Sequence, residues 1–329
     1  MYEFKISAPG IVFLYGGPKL EIIEYNKSCI AAGLDIRTKL EFIQGSSPSP
    51  GVESNETIRI KFKNLKLYLE IPLEAIYKCF YDQNGVREFS CENLMNTIEE
   101  FIKSLNIPAN TYDPTNEVQN SFLKSFLYLL LHMAYEENIK ITASVIMKLS
   151  TDLPIAKGLG TTTSFIVCLA ACFWRWSLLQ KGIARSTFDS QDCIKIRRYV
   201  WRCEKIVYNF KNMINNFISI YGVMVMYKDE IDKFTLHKIE PIKILIVDSN
   251  IKEIGIDQLK EMENLSQYAD PIITRAALDK SFEAVEQIFQ EFRKENRKRN
   301  DTNLADPLGL KSYHIKTILV DDSRLLSKK

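Results

Sequence analysis

Residues 148–164 read Lys-Leu-Ser-Thr-Asp-Leu-Pro-Ile-Ala-Lys-Gly-Leu-Gly-Thr-Thr-Thr-Ser. Two glycines, Gly158 and Gly160, flank Leu159 and stand just ahead of Thr161, Thr162 and Thr163, after which an apolar run begins. Glycine tolerates positive φ and lets a ligand approach the backbone closely. The first amides of a helix have no intrahelical acceptor, and their aligned dipoles favour an anion. Gly158 to Thr163 therefore suit a phosphate group, with Pro154 stiffening the turn and Lys157 supplying a cation beside it. The same residues also fit a glycine turn followed by a capped helix with no ligand, and local chemistry alone leaves both readings open. The spacing is not a Walker loop, which needs Gly-Lys-Ser/Thr after four spacers, nor a dinucleotide fingerprint, which needs a third glycine.

The other chemistry-bearing residues point away from metal and redox sites. The seven cysteines form no Cys-x-x-Cys pair, and the three histidines are scattered. Cys168 and Cys172, four apart in an apolar run, read as small core residues. The formal net charge of +2, with both signs intermixed, predicts neither a nucleic-acid partner nor a membrane partner. Basic residues at 293–299 lack interleaved aromatics and read as a solvated helix end. The opening residues lack the pattern of a signal peptide, so a reduced, cytoplasmic setting is expected.

A phosphate loop needs a strand before it and a helix after it. Ile141, Ala143, Val145, Met147 and Leu149 fall on every second position, with Thr142, Ser144 and Lys148 among the residues between them, which predicts a strand over residues 139–149; residues 161–179 predict a helix. Upstream, residues 4–6 and 11–14 predict two short strands around a turn at Ser7-Ala-Pro-Gly10. Residues 29–42 and 58–69 alternate as further strands. Helical spacing marks 90–105, 117–136 and 189–208. Residues 219–227 and 243–247 predict strands, and 257–263, 271–299 and 315–326 predict helices. Together they predict an α/β (α+β) fold in two lobes. Residues 1–227 form an N-terminal lobe of mixed and antiparallel sheet with helices, carrying the loop at 153–163. Residues 228–329 form a partial C-terminal lobe of strands and helices.

The loop resembles the Pro-x-x-x-Gly-Leu-Gly-Ser-Ser-Ala motif of the GHMP small-molecule kinases, with Thr161 and Thr162 for the serines and Thr163 for the alanine. Ser7-Ala-Pro-Gly-Ile-Val-Phe-Leu-Tyr-Gly16 resembles that superfamily's opening segment. Leu34-Asp-Ile-Arg-Thr38, Cys168-Leu-Ala-Ala171 and Trp201-Arg-Cys-Glu-Lys-Ile206 resemble the mevalonate kinases in particular. The resemblance implies a two-lobed fold and ATP with Mg2+. It implies phosphate transfer to the 5-hydroxyl of mevalonate in isoprenoid biosynthesis. By position it assigns Pro154, Lys157, Gly158, Leu159, Gly160, Thr161, Thr162 and Thr163 to the nucleotide, and Thr162 and Glu204 to the metal. It leaves a homodimer open.

The same comparison finds the transfer machinery eroded. The superfamily's opening lysine is replaced by Ile11, and its aspartate, eleven residues beyond Glu204, by Asn215. A Gly-Glu-His turn reads Gly16-Gly17-Pro18, a tight glycine-proline turn reads Tyr208-Asn-Phe-Lys-Asn-Met213, and a third glycine-rich motif is not found in this sequence. Asparagine can orient a hydroxyl but cannot accept its proton, a loss that costs about 10²–10⁴ in rate. The expectation is a mevalonate kinase-like protein with impaired catalysis, or else a pseudokinase that binds a nucleotide or a partner.

Overall fold

The computed structural model describes residues 1–15, 28–45, 56–83, 85–105, 107–108, 110–209, 214–228, 233–237, 280, 283–284, 287 and 319–321. The strands are β1 (Tyr2–Tyr15), β2 (Ser28–Gln44), β3 (Thr57–Phe62), β4 (Leu67–Pro72), β5 (Tyr81–Asp82), β6 (Gly85–Val86), β7 (Val145–Thr151), β8 (Met224–Lys228), β9 (Lys233–His237) and β10 (Leu319–Asp321). The helices are α1 (Leu73–Phe80), α2 (Cys91–Ser104), α3 (Glu117–Glu137), α4 (Thr161–Gln180), α5 (Ser190–Tyr208) and α6 (Ile214–Tyr221). The main sheet runs β10-β1-β2-β7-β3-β4, with β8 pairing β2 and β9. It is mixed: β3 and β7 are parallel and the other pairs are antiparallel.

Alternation explains the buried face. Ile58, Ile60 and Phe62 point inward while Arg59 and Lys61 are exposed, and Val145, Met147 and Leu149 do the same on β7. Helix α4 lies over β1 and β2, with α3 and α5 packed on its far side. It is apolar nearly all round because nearly all of it is enclosed. Its most apolar 18-residue window is 89% buried in the fold, as expected of a core helix. Phe4 stacks on Phe42 at 4.8 Å and Phe42 meets Trp176 at 5.0 Å, while the Trp176 indole N–H donates to Gln44 Oε1 at 2.9 Å.

Several expectations change. Residues 4–6 and 11–14 belong to one long strand rather than two: Pro9-Gly10 makes a register shift in β1, not a turn. Residues 58–69 are a hairpin, β3 and β4, joined through Lys66 at φ 52°. The strand expected over 139–149 starts only at Val145. Residues 219–227 are not one strand: α6 runs through Tyr221, Gly222 at φ 63° ends it, and β8 begins at Met224. The helix expected over 315–326 contains a strand instead, β10, paired with β1. The expected elements at 243–247 and 257–263, the Gly16-Gly17-Pro18 turn and residues 210–213 lie outside the described residues. Of 271–299, positions 280, 283, 284 and 287 are described and helical.

Candidate phosphate-binding site

Strand β7 delivers the loop, and its last residue is pinned from both sides. Asn64 accepts from the Thr151 amide at 3.1 Å and donates to its carbonyl at 2.9 Å, and the Thr151 hydroxyl meets that of Thr38 at 3.1 Å. The next amide, Asp152, donates to Arg37 O at 3.1 Å, while its carboxylate pairs with Lys39 at 2.7 Å. Leu153 then turns inward over Gly10, where a Cβ would stand 2.3 Å from Leu153 Cδ2. That close approach is why β1 needs glycine there.

The loop itself folds back tightly. Ala156, Gly158 and Gly160 take φ values of 57°, 75° and 69°. Across the turn, the Thr161 hydroxyl donates to Pro154 O at 2.9 Å. The Ile11 amide donates to Leu159 O at 2.9 Å, the Ser164 hydroxyl to Ala8 O at 3.0 Å and the Ser219 hydroxyl to Pro9 O at 2.9 Å. The irregular stretch of β1 is thus satisfied by the loop, by α4 and by α6. A Cβ on Gly160 would come within 2.9–3.0 Å of the Ile11 side chain. Gly160 is therefore required for space as well as for φ.

Helix α4 starts without a side-chain cap, since Gly160 is its N-cap. Ser90, Asn116 and Asp189 cap α2, α3 and α5 through their side chains, Asp189 in a capping box with Asp192. The Ser164 amide makes the first intrahelical bond, to Gly160 O at 2.9 Å, so the amides of Thr161, Thr162 and Thr163 stand ahead of it. Pro154, Lys157 and Gly158 are exposed at the mouth, and Leu159, Gly160, Thr161 and Thr162 are half-buried behind them. The sequence-expected residues 154 and 157–162 thus share one turn, with the positive end of a 20-residue helix behind them.

Thr163 departs from that set. Its hydroxyl turns inward and donates to Glu204 Oε1 at 2.6 Å. The Asn216 amide Nδ2 faces the other carboxylate oxygen at 3.4 Å. Glu204 is 1% exposed, and burial pushes its carboxyl up from 4.5 to about 7 against the opposing pull of these two hydrogen bonds. Thr162, expected to share a metal with Glu204, is not among its partners. Mg2+ holds oxygens at about 2.0–2.1 Å and keeps several waters. A sealed carboxyl with protein donors on both oxygens does not fit that role.

The two other expected catalytic positions are equally unlike a transfer site. Ile11 is a core residue, packed with Cys29, Ala31, Ile214, Ile218 and Val225 between the sheet and α6. Asn215 is half-buried, and its Oδ1 has no partner among the described residues; Asn216, one residue on, is the side chain that reaches Glu204. Sequence reading missed Asn216 and the inward turn of Thr163, because nothing in one sequence sets the rotation of α4 against α5 and α6. It also missed Gly10, whose signal was the unusual Pro9-Gly10 pair inside an apolar run. An open cleft of about 420 Å³ lies at the other end of the sheet, beside Tyr2, Gln44, Lys140 and Lys181, and takes no part in the loop.

No family model matches the chain. It is 23% identical to a mevalonate kinase of Arabidopsis thaliana, over 98% of this chain and 80% of that protein. It is 28% identical to a mevalonate kinase of Candida albicans, over 68% of this chain, and 24% identical to one of Mus musculus, over 75%. It spans 50% and 59% of those two proteins' lengths. Among solved structures, the Lin0012 protein of Listeria innocua superposes with a TM-score of 0.50 at 12% identity, over 90% of this chain and 74% of that one. That likeness is one of fold.

Proposed function

We infer, from the premise that this chain is a GHMP-superfamily relative of the mevalonate kinases, that residues 153–163 bind the phosphates of ATP. The observation carrying this reading is the glycine-capped start of α4, where the amides of Thr161 to Thr163 precede the first intrahelical bond and no side chain caps them. Phosphoryl transfer asks a protein mainly for positioning and for charge stabilisation. The loop amides and the Thr162 hydroxyl would cradle the phosphates, with Lys157 adding charge at the mouth. Mevalonate would be the acceptor, phosphorylated on its 5-hydroxyl in isoprenoid synthesis.

The reading includes weak catalysis. Ile11 offers no charge to the transferring group, and Asn215 cannot take the hydroxyl proton. Losing a general base costs about 10²–10⁴ in rate, and losing an aimed electrostatic donor costs about 10²–10³ more. The sealed Glu204 favours a second reading, a pseudokinase that binds nucleotide and acts through that binding. Residues 228–329 are read as part of a second lobe. The cytoplasm is the proposed compartment, in keeping with seven unpaired thiols.

The test is ADP release in the presence of mevalonate. Kinases commonly turn over at about 1–100 s⁻¹, and turnover at least 100-fold slower is expected here. Turnover in the ordinary range would refute impairment, and with it the pseudokinase reading.

A further inference from the structure

We propose that Glu204 is a positioning residue rather than a metal ligand: with Thr163 and Asn216 it forms a buried latch that ties the first turn of α4 to α5 and α6. The consequence for ligand binding rests on the phosphate reading of residues 153–163. The latch itself rests on geometry alone.

Three elements meet at one carboxyl. Thr163 is in the first turn of α4, Glu204 in the last turns of α5, and Asn216 in the first turn of α6. Their exposures are 2%, 1% and 0%. The Thr163 hydroxyl and the Asn216 amide each occupy one oxygen of Glu204. A divalent cation would have to displace both donors and bring its waters into a closed site.

The latch has a built-in reserve. Asn216 Oδ1 is buried with no partner among the described residues. Turned over, that amide accepts a hydrogen bond from a neutral carboxyl or from an amide at position 204. Since Asn216 can offer either its N–H or its Oδ1, the latch geometry is met by a carboxyl or by a glutamine amide at position 204.

The effect on the loop follows from connectivity. Thr163 sits two residues after Thr161, whose hydroxyl closes the loop onto Pro154, and one residue before Ser164, which holds Ala8. Fixing Thr163 fixes the rotation of the α4 start, and with it the direction of the amides offered to a phosphate. Holding those amides in advance lowers the ordering cost of binding.

The test compares wild type, Glu204→Gln, Thr163→Val and Thr163→Ser. ATP is titrated once with Mg2+ and once with EDTA, and Mn2+ is titrated alone and followed by its electron paramagnetic resonance. Glu204→Gln keeps both hydrogen bonds and is expected to hold ATP affinity within about threefold, with the Mg2+ dependence of wild type. Thr163→Val is expected to weaken ATP and lower the melting temperature, and Thr163→Ser to restore both. If Glu204→Gln weakens Mg-ATP by about 10–100-fold, the range for a disrupted metal site, while leaving ATP in EDTA unchanged, the latch is overturned. Mn2+ bound by wild type and lost in Glu204→Gln overturns it as well. If ATP binds to none of the four proteins, the phosphate reading fails. The Mn2+ titration and the melting of Thr163→Val against Thr163→Ser then decide the latch on their own.

Discussion

Replacing Glu204 with glutamine should change how stability depends on pH. The Glu204 carboxyl is raised by burial from 4.5 to about 7, so between those values the folded protein binds a proton that the unfolded chain has released. Stability from this group is fully present below about pH 4.5 and is lost as pH rises through about 7. Between pH 5 and pH 8 the loss is about 2–3 kcal/mol. Glutamine fills the same space, keeps the bond from Thr163 and does not titrate, so the variant escapes this loss. The nearby Tyr208 and Cys203 are pushed upward by burial and do not titrate in this window, and His132 is pushed below its ordinary value. At about 2.1 cal/mol/K of unfolding entropy per residue, a chain of 329 residues moves by about 1.4 °C per kcal/mol. Wild type should therefore lose about 3–4 °C relative to Glu204→Gln from pH 5 to pH 8, read from thermal melts at half-unit steps. Parallel profiles for the two proteins would refute the buried-carboxyl reasoning.

Three further outcomes are expected. Gly160→Ala places a Cβ at φ 69° and 2.9 Å from Ile11; it should cost about 2–4 kcal/mol in denaturant unfolding, and Ile11→Ala in the same chain should return the steric part. Ile11→Lys should not rescue activity. It buries an ammonium among Cys29, Ile214 and Val225 and should cost about 3–5 kcal/mol, seen as a lowered unfolding midpoint. Asp189→Ala removes a capping box remote from the loop and should cost about 1 kcal/mol while leaving ATP affinity, by calorimetric titration, unchanged.

The long helices were legible because their signals are local. Ser90, the spaced Leu94, Ile98, Phe101 and Ile102, and the apolar runs of α3 and α4 each declare themselves within one window. The loop was legible for the same reason: Gly158, Gly160 and the threonines are contiguous. What failed depends on partners distant in sequence. Pro9-Gly10 carries a turn signature, yet Gly10 is there because Leu153, brought in by β7, leaves no room for a side chain. Residues 214–221, Ile-Asn-Asn-Phe-Ile-Ser-Ile-Tyr, make only about two helical turns and run into the apolar stretch of β8, too short a window for periodicity to separate helix from strand. The positions at 11 and 215 were found through family spacing, but their surroundings were not. Only the packed structure reveals Ile11 lying on Gly160, and Asn216 rather than Asn215 meeting Glu204.

The claim that loop amides receive a phosphate is tested most directly by amide hydrogen exchange across residues 154–164, with and without saturating ATP. The account predicts that exchange at Thr161, Thr162 and Thr163 slows on adding ATP, and that Gly160→Ala abolishes the slowing. Unchanged exchange there, with ATP bound and protection appearing elsewhere on the sheet, would contradict it.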